Sequence, residues 1–256
     1  MIPADAGGNS RTLLHERVIL CIGGLDPSGA AGLAADLQVV YALGGHAAVL
    51  TTLQTVQGRS HWGRAEPVNL ALLREQFAAL KRDLPIAGVK IGAVASTAQA
   101  EWLVTALQDL AVPAVLDPVL ASSSGGHLSP PAALRHLAAA VQLCTPNRQE
   151  AEILFGLSPD ETAWPADCPT ALLVTDGAGS GRNLLLTDSD LCSFDWPRRP
   201  GTYRGSGCRL ATAICCHLAA GATLEAACTA AQHLVADWIA AAWQHADGRH
   251  LPRPPA

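Results

Sequence analysis

Arg204-Gly205-Ser206-Gly207-Cys208-Arg209-Leu210-Ala211-Thr212-Ala213 is the stretch on which the reading of the chain turns. Gly205 and Gly207 free the backbone to aim its N–H groups at one point, and the apolar run from Leu210 onward continues as a helix. A glycine turn that enters a helix makes a pocket for an anion. The partial positive charge at the helix N-terminus predicts that Cys208 is a better thiolate than a cysteine elsewhere and that a phosphoryl group docks beside it. The plainer alternative is a tight turn followed by a packed cysteine, and the neighbouring segments decide between the two.

Upstream of that turn, strand and helix patterns alternate. Residues 18–23 form a continuous apolar run closed by Gly23-Gly24, the pattern of a strand buried on both faces of a parallel sheet. Residues 30–43 carry helical spacing, with Ser28 as N-cap, Asp36 and Gln38 on the wetter side and Gly44-Gly45 as the stop. Residues 46–52 read as a strand followed by a long polar loop, 54–66, that holds Gln57, Arg59, His61 and Trp62. Pro67 opens a helix to Asp83, residues 86–91 are a strand, and Ser96-Thr97-Ala98-Gln99 carries the capping-box pattern of a helix that runs to about residue 110. A strand over 113–117, a loop over 122–126, a helix opened by Pro130-Pro131, a short strand over 141–144 and a helix over 150–155 follow.

Residues 159–169 read as irregular, and 171–175, 183–187 and 191–194 read as three strands with tight turns, an antiparallel edge. Two helices, 210–220 and 224–244, come last. The fold class is therefore α/β, with a mainly parallel central sheet, an antiparallel edge and helices on both faces. Ligands of such sheets sit at the carboxyl ends of the strands. That rule brings together the loops at 24–29, 54–66, 92–96, 117–126, 145–150, 176–181 and 201–208.

A chain of 256 residues is long enough for one large core, so residues 17–246 are expected to form a single domain, with flexible tails at 1–16 and 247–256 and no second catalytic domain after 246. The net charge of −5 and the 15% charged content leave no basic face for a nucleic-acid backbone, which points to a small-molecule partner. Lys81 and Lys90 are the lysines of the chain, so cationic help at a phosphate is expected from arginine. The eight cysteines form no C-x-x-C pair and read as reduced thiols. With no signal-like or membrane-spanning apolar run, a cytoplasmic location is expected.

Taken in order, Gly24-Leu25-Asp26-Pro27-Ser28-Gly29-Ala30-Ala31-Gly32, Ala42-Leu43-Gly44, Thr55-Val56-Gln57, Val89-Lys90-Ile91-Gly92, Asp117-Pro118-Val119, Thr145-Pro146-Asn147-Arg148-Gln149-Glu150 and Gly205-Ser206-Gly207-Cys208 resemble the hydroxymethylpyrimidine and phosphomethylpyrimidine kinases of thiamine biosynthesis. The similarity spans residues 18–245. It implies a three-layer αβα ribokinase-like fold, ATP and Mg²⁺, a homodimer, and phosphorylation of 4-amino-5-hydroxymethyl-2-methylpyrimidine and then of its monophosphate.

By that resemblance Cys208 is the general base, with Gly205, Ser206 and Gly207 binding the transferring group. Asp26, Gln57 and Gly24 contact the pyrimidine, with the planar amide of Gln57 offering one donor and one acceptor to an aminopyrimidine edge. Asn147, Asp117, Arg204 and Thr175 belong to the nucleotide and phosphate side, and Glu150 holds hydrated Mg²⁺. The residues alone also permit Asp26 and Asp117 as turn formers before proline, Asn147 as a helix cap and Glu150 as a solvated side chain. Three positions depart from many relatives, with Ala34 in place of glutamine, Thr175 in place of lysine and Arg204 in place of histidine, and Ser123 stands where some relatives carry lysine; the Arg204 guanidinium is expected to take over a phosphate contact. A pyridoxal or pyridoxine kinase, and a pyrimidine or nucleotide sensor without turnover, are the competing readings.

Overall fold

Val18, Leu20 and Ile22 of β1 (Val18–Leu25) pack into one apolar layer, and Ile19 and Cys21 into another. A strand apolar at every position needs cover on both faces, which places it inside its sheet. The computed structural model describes residues 14, 17–58, 61–157, 165, 168–175, 181–195, 199–244 and 248–255. On one side of β1 lie β2 (His46–Gln57) and then β3 (Trp62–Pro67). On the other lie β4 (Ile86–Ile91), β5 (Ala114–Leu116), β6 (Leu143–Cys144), β7 (Ala171–Val174), β8 (Arg182–Leu186) and β9 (Leu191–Asp195), in that order. Pairing is parallel from β2 through β7, and β3, β8 and β9 pair antiparallel. The strand order reverses at β1, so a crevice opens at the carboxyl ends of β1 and β4, where open α/β sheets bind ligands.

The helices are α1 (Gly32–Ala42), α2 (Leu70–Asp83), α3 (Thr97–Leu110), α4 (Pro131–Ala138), α5 (Arg148–Phe155), α6 (Ser206–Ala219) and α7 (Leu224–Ala240). Residues of α1, α6 and α7 share one core layer, and those of α2 to α5 share the layer on the opposite face.

Several expectations need correction. The 54–66 stretch is a β-hairpin, since β2 continues to Gln57 and pairs with β3. Asp36, placed on the wetter side of α1, is fully buried, because its carboxylate has a buried lysine to pair with. Ser28 caps no helix: α1 starts at Gly32, and the Ser28 hydroxyl donates to Asp26 instead. Asn69, not Pro67, opens α2 by accepting from the amides of Ala71 and Leu72. At α3 only half of the capping box forms. Ser96 accepts from the Gln99 amide, while the Gln99 side chain donates to the carbonyls of Thr52 and Val68.

α6 starts at Ser206, four residues before the first apolar position, so the glycine motif itself is the first turn of the helix. α7 stops at Ala240, and the chain continues into a small second sheet made of β10 (Thr202–Tyr203), β11 (Trp243–Gln244) and β12 (Arg249–Leu251), with β12 in the middle. Both expected tails therefore carry ordered anchors. β12 lies within 247–256, and Leu14, within 1–16, is buried with its amide bonded to the Leu43 carbonyl. The irregular stretch read at 159–169 falls mostly outside the described residues, as do Arg59 and residues 176–180.

Candidate active site

Gly205 adopts φ +73°, and a Cβ there would overlap the carbonyl oxygen of Ala30, so the turn requires glycine. The buried Arg209 guanidinium fixes its orientation. Nη1 donates to the carbonyls of Ala30 (3.0 Å), Gly205 (3.2 Å) and Arg204 (3.4 Å), and Nη2 to Gln38 Oε1 (2.6 Å). Peptide planarity puts each N–H opposite its carbonyl, so the amides after Arg204 and Gly205 face away from Arg209. Together with the Gly207 and Cys208 amides, which have no partner inside the helix, they open into the crevice. The glycine turn that enters a helix, read from the motif, is present.

The crevice is a cavity of about 300 Å³, and every residue predicted for the site lines it. Gly205, Ser206, Gly207 and Cys208 form one wall; Gly24, Asp26 and Gln57 form another; Asn147, Glu150, Asp117, Thr175 and Arg204 complete it. Six of the seven loops expected at the carboxyl edge reach the site or its rim, and most of the seventh, 176–181, lies outside the described residues.

Cys208 is half-buried, and its thiol shares the cavity with Asp117. Burial, followed by the Asp117 carboxylate, pushes its thiol well above the ordinary range, and the nearby Lys90 ammonium only partly opposes this. The expected thiolate is therefore a thiol at rest, because loss of solvation and a neighbouring negative charge outweigh the helix terminus. Lys90, not an arginine, is the cation at this end. Its buried Nζ lies 3.0 Å from both oxygens of Asp36 and 3.7 Å from Asp117 Oδ2, and Thr212 Oγ1 donates to Asp36 Oδ1 at 2.8 Å. Burial alone would lower the lysine's proton affinity, but Asp36, Cys208 and Asp117 hold it as ammonium, well above its ordinary range.

Arg204 does not reach toward a phosphate. Its buried Nη2 lies 3.0 Å from Asp26 Oδ2 and 2.8 Å from Gln57 Oε1, and Nη1 donates to the Gly58 carbonyl at 3.2 Å. The carboxylate and amide wall attract the guanidinium more strongly than the helix opening does, where the positive end of the dipole repels it. Asp26 Oδ1 accepts from the Ser28 amide (2.9 Å) and hydroxyl (2.7 Å). Gln57 Oε1 also accepts from Ser122 (2.8 Å) and Ser124 (3.2 Å).

On the far wall Asn147 caps α5 in a reciprocal box: its Oδ1 accepts from the Glu150 amide, and Glu150 Oε2 accepts from its amide, both at 2.9 Å. Glu150 is thus neither free nor solvated. Burial, then the Asp117 charge, raises its pKa to about 7 against amide bonds from Asn147 and Leu120 that lower it. Asp117 Oδ2 has no hydrogen-bond partner. That oxygen has the Lys90 ammonium 3.7 Å away, with the partly protonated Glu150 beside it. Among the described residues no cluster of three or more His, Cys, Asp or Glu could hold a metal alone. The donor set suits Mg²⁺, which takes one or two carboxylates and draws the rest of its shell from phosphate and water. Thr175 lies beside Asn147, with its amide on the Pro146 carbonyl.

Sequence reading missed the Lys90–Asp36 pair and the Ser122 and Ser124 hydroxyls. The signal for the pair was present, since a lysine inside a strand buried on both faces needs a carboxylate partner.

A family model described as phosphomethylpyrimidine kinase matches residues 26–252. A hydroxymethylpyrimidine/phosphomethylpyrimidine kinase of Streptomyces coelicolor is 30% identical over 239 residues, covering 88% of this chain and 89% of that protein. A phosphomethylpyrimidine kinase crystal structure from Clostridium difficile superposes with a TM-score of 0.72 at 26% identity, covering 86% of this chain and 97% of the other. An ADP complex of Bacillus subtilis pyridoxal kinase shares the fold, with a TM-score of 0.81 at 21% identity and coverage of 93% and 97%. With its site assembled from the motifs that matched and its length spanned almost throughout, the chain belongs to the phosphomethylpyrimidine kinase family.

Proposed function

We infer that the chain transfers the γ-phosphoryl group of ATP to the hydroxymethyl oxygen of 4-amino-5-hydroxymethyl-2-methylpyrimidine, and then phosphorylates the monophosphate to the diphosphate, in thiamine biosynthesis. Family membership supports this, and one observation carries it at the level of residues: the helix opening with Cys208 and the polar wall of Asp26 and Gln57 face the same cavity. An alcohol held on that wall presents its oxygen to a phosphoryl group held at the helix opening.

In the transfer the alcohol oxygen forms a bond to phosphorus, the bond to the departing ADP oxygen breaks, and the alcohol proton leaves. The Gly205 to Cys208 amides meet the charge on the transferring group, while Lys90 balances Asp36 and Asp117 beneath it. Cys208 is the group we assign as proton acceptor; because it rests as a thiol, its own proton must first leave to water at the half-exposed face of the crevice. The transition state of phosphoryl transfer is loose, so positioning and charge contribute more than the base. Glu150 and Asp117 would hold Mg²⁺, which neutralises phosphate charge when bound. A homodimer is the assembly we assign from the family resemblance.

A coupled assay of ADP release tests the reading, with the pyrimidine alcohol, its monophosphate and pyridoxal supplied separately. ADP release that depends on the pyrimidine alcohol and on its monophosphate is expected. No release above the alcohol-free rate with any of the three would reject a kinase in favour of a sensor.

A further inference from the structure

Arg204 occupies the wall that, by family resemblance, reads the pyrimidine ring, and it changes what that wall can offer. Guanidinium has donors and no acceptor, so the Gln57 atom 2.8 Å from it is the amide oxygen, and the side chain cannot flip without placing N–H against N–H. That oxygen receives Arg204, Ser122 and Ser124 together. On Asp26, Oδ1 accepts from the Ser28 amide and hydroxyl, and Oδ2 accepts from Arg204. The Gln57 polar atom left without a protein hydrogen bond among the described residues is Nε2, a donor. A wall expected to present one donor and one acceptor has therefore become donor-rich.

An exocyclic amine beside the hydroxymethyl arm would lose water here and find its acceptor already taken, whereas an oxo, aldehyde or hydroxyl oxygen would meet the Gln57 amide. We propose that Arg204 is a specificity-determining residue that turns the ring wall toward heteroaromatic alcohols whose substituent next to the hydroxymethyl arm accepts hydrogen bonds. The proposal rests on the kinase reading of the same site. It concerns the ring substituent only, because phosphoryl transfer at the helix opening is common to both kinds of alcohol.

The test compares kcat/KM for 4-amino-5-hydroxymethyl-2-methylpyrimidine with that for its 4-oxo analogue, in wild type and in Arg204→Ala. Wild type is expected to use the 4-oxo alcohol at least as well as the amino alcohol. Arg204→Ala, which removes one of the three donors on Gln57 Oε1 and the donor on Asp26 Oδ2, is expected to move the ratio toward the amine by about tenfold or more. A wild-type preference for the amine above about tenfold overturns the proposal and leaves the kinase reading intact. A ratio unmoved in a folded Arg204→Ala removes the assignment to Arg204, and if that variant does not fold, the wild-type ratio alone decides. Absence of ADP release with both alcohols overturns the kinase reading, and this proposal with it.

Discussion

Glu150 holds its proton more tightly in the folded chain than an ordinary glutamate does, at about 7 against 4.5, because it is half-buried and stripped of much of its solvent beside Asp117. The stability tied to that proton is therefore fully present below about pH 4.5 and is lost as the pH rises through about 7. Glu150→Gln keeps an acceptor for the Asn147 amide and removes the charge. At pH 8, without nucleotide or Mg²⁺, it is expected to stabilise the protein by on the order of 1 kcal/mol, a rise in Tm of about 2–4 °C, and to lower turnover. A Tm at pH 8 equal to or below that of wild type would contradict the assignment of a strained carboxylate. The same reasoning explains why Cys208 defied expectation. Helix-terminus charge is legible in a sequence, but the burial that raises the thiol most, and the Asp117 carboxylate that adds to it from 91 positions away in the numbering, exist only once the chain has folded.

At the scale of elements, the β2–β3 hairpin is the largest difference between reading and structure. Its polar residues, Gln54 and Arg64 among them, suggested a loop, yet each strand needs apolar cover only where it meets the sheet, and the distal half pairs in the open. The hairpin carries Gln57 over the cavity and rests Trp62 against Gly126, where a Cβ would overlap the indole. That contact sets the loop whose Ser122 and Ser124 hold Gln57. Gly126→Ala must displace the ring, and it is expected to raise KM for the alcohol by about fivefold with little change in the KM for ATP. Equal changes in both would show that the hairpin does not act through Gln57. The elements that were legible, α3 and β4 above all, have strong local signals: an N-cap serine with helical spacing, and an apolar run of strand length. β12 lacked such a signal, because a three-residue strand depends on a partner far away in the sequence, here β10 before Arg204, and β11 in turn pairs with β12.

Across the whole molecule, a mainly parallel sheet whose strand order reverses at β1 brings chain segments from Gly24 to Cys208 to one crevice. That convergence was legible because the strand–helix alternation fixes which loops share an edge, so the site residues were found together even where their partners were misread. Arg204 shows where legibility ends: its charge was visible, but whether it faced phosphate or carboxylate depended on how β10 and β12 aim the turn, with the Arg204 amide on the His250 carbonyl. A cavity that holds the alcohol against the helix opening must deliver phosphate to the alcohol rather than to water. ³¹P NMR of the reaction with ATP and the pyrimidine alcohol measures this directly, in wild type and in Cys208→Ala. Each ADP formed in wild type should be matched by one phosphorus gained by the pyrimidine, first as a phosphoester coupled to the methylene protons and then as the terminal phosphoryl group of the diphosphate, with the rate falling about hundredfold in Cys208→Ala while KM for the alcohol stays within about threefold. ADP accompanied by inorganic phosphate instead of the ester, or a Cys208→Ala turnover within about threefold of wild type, would contradict it.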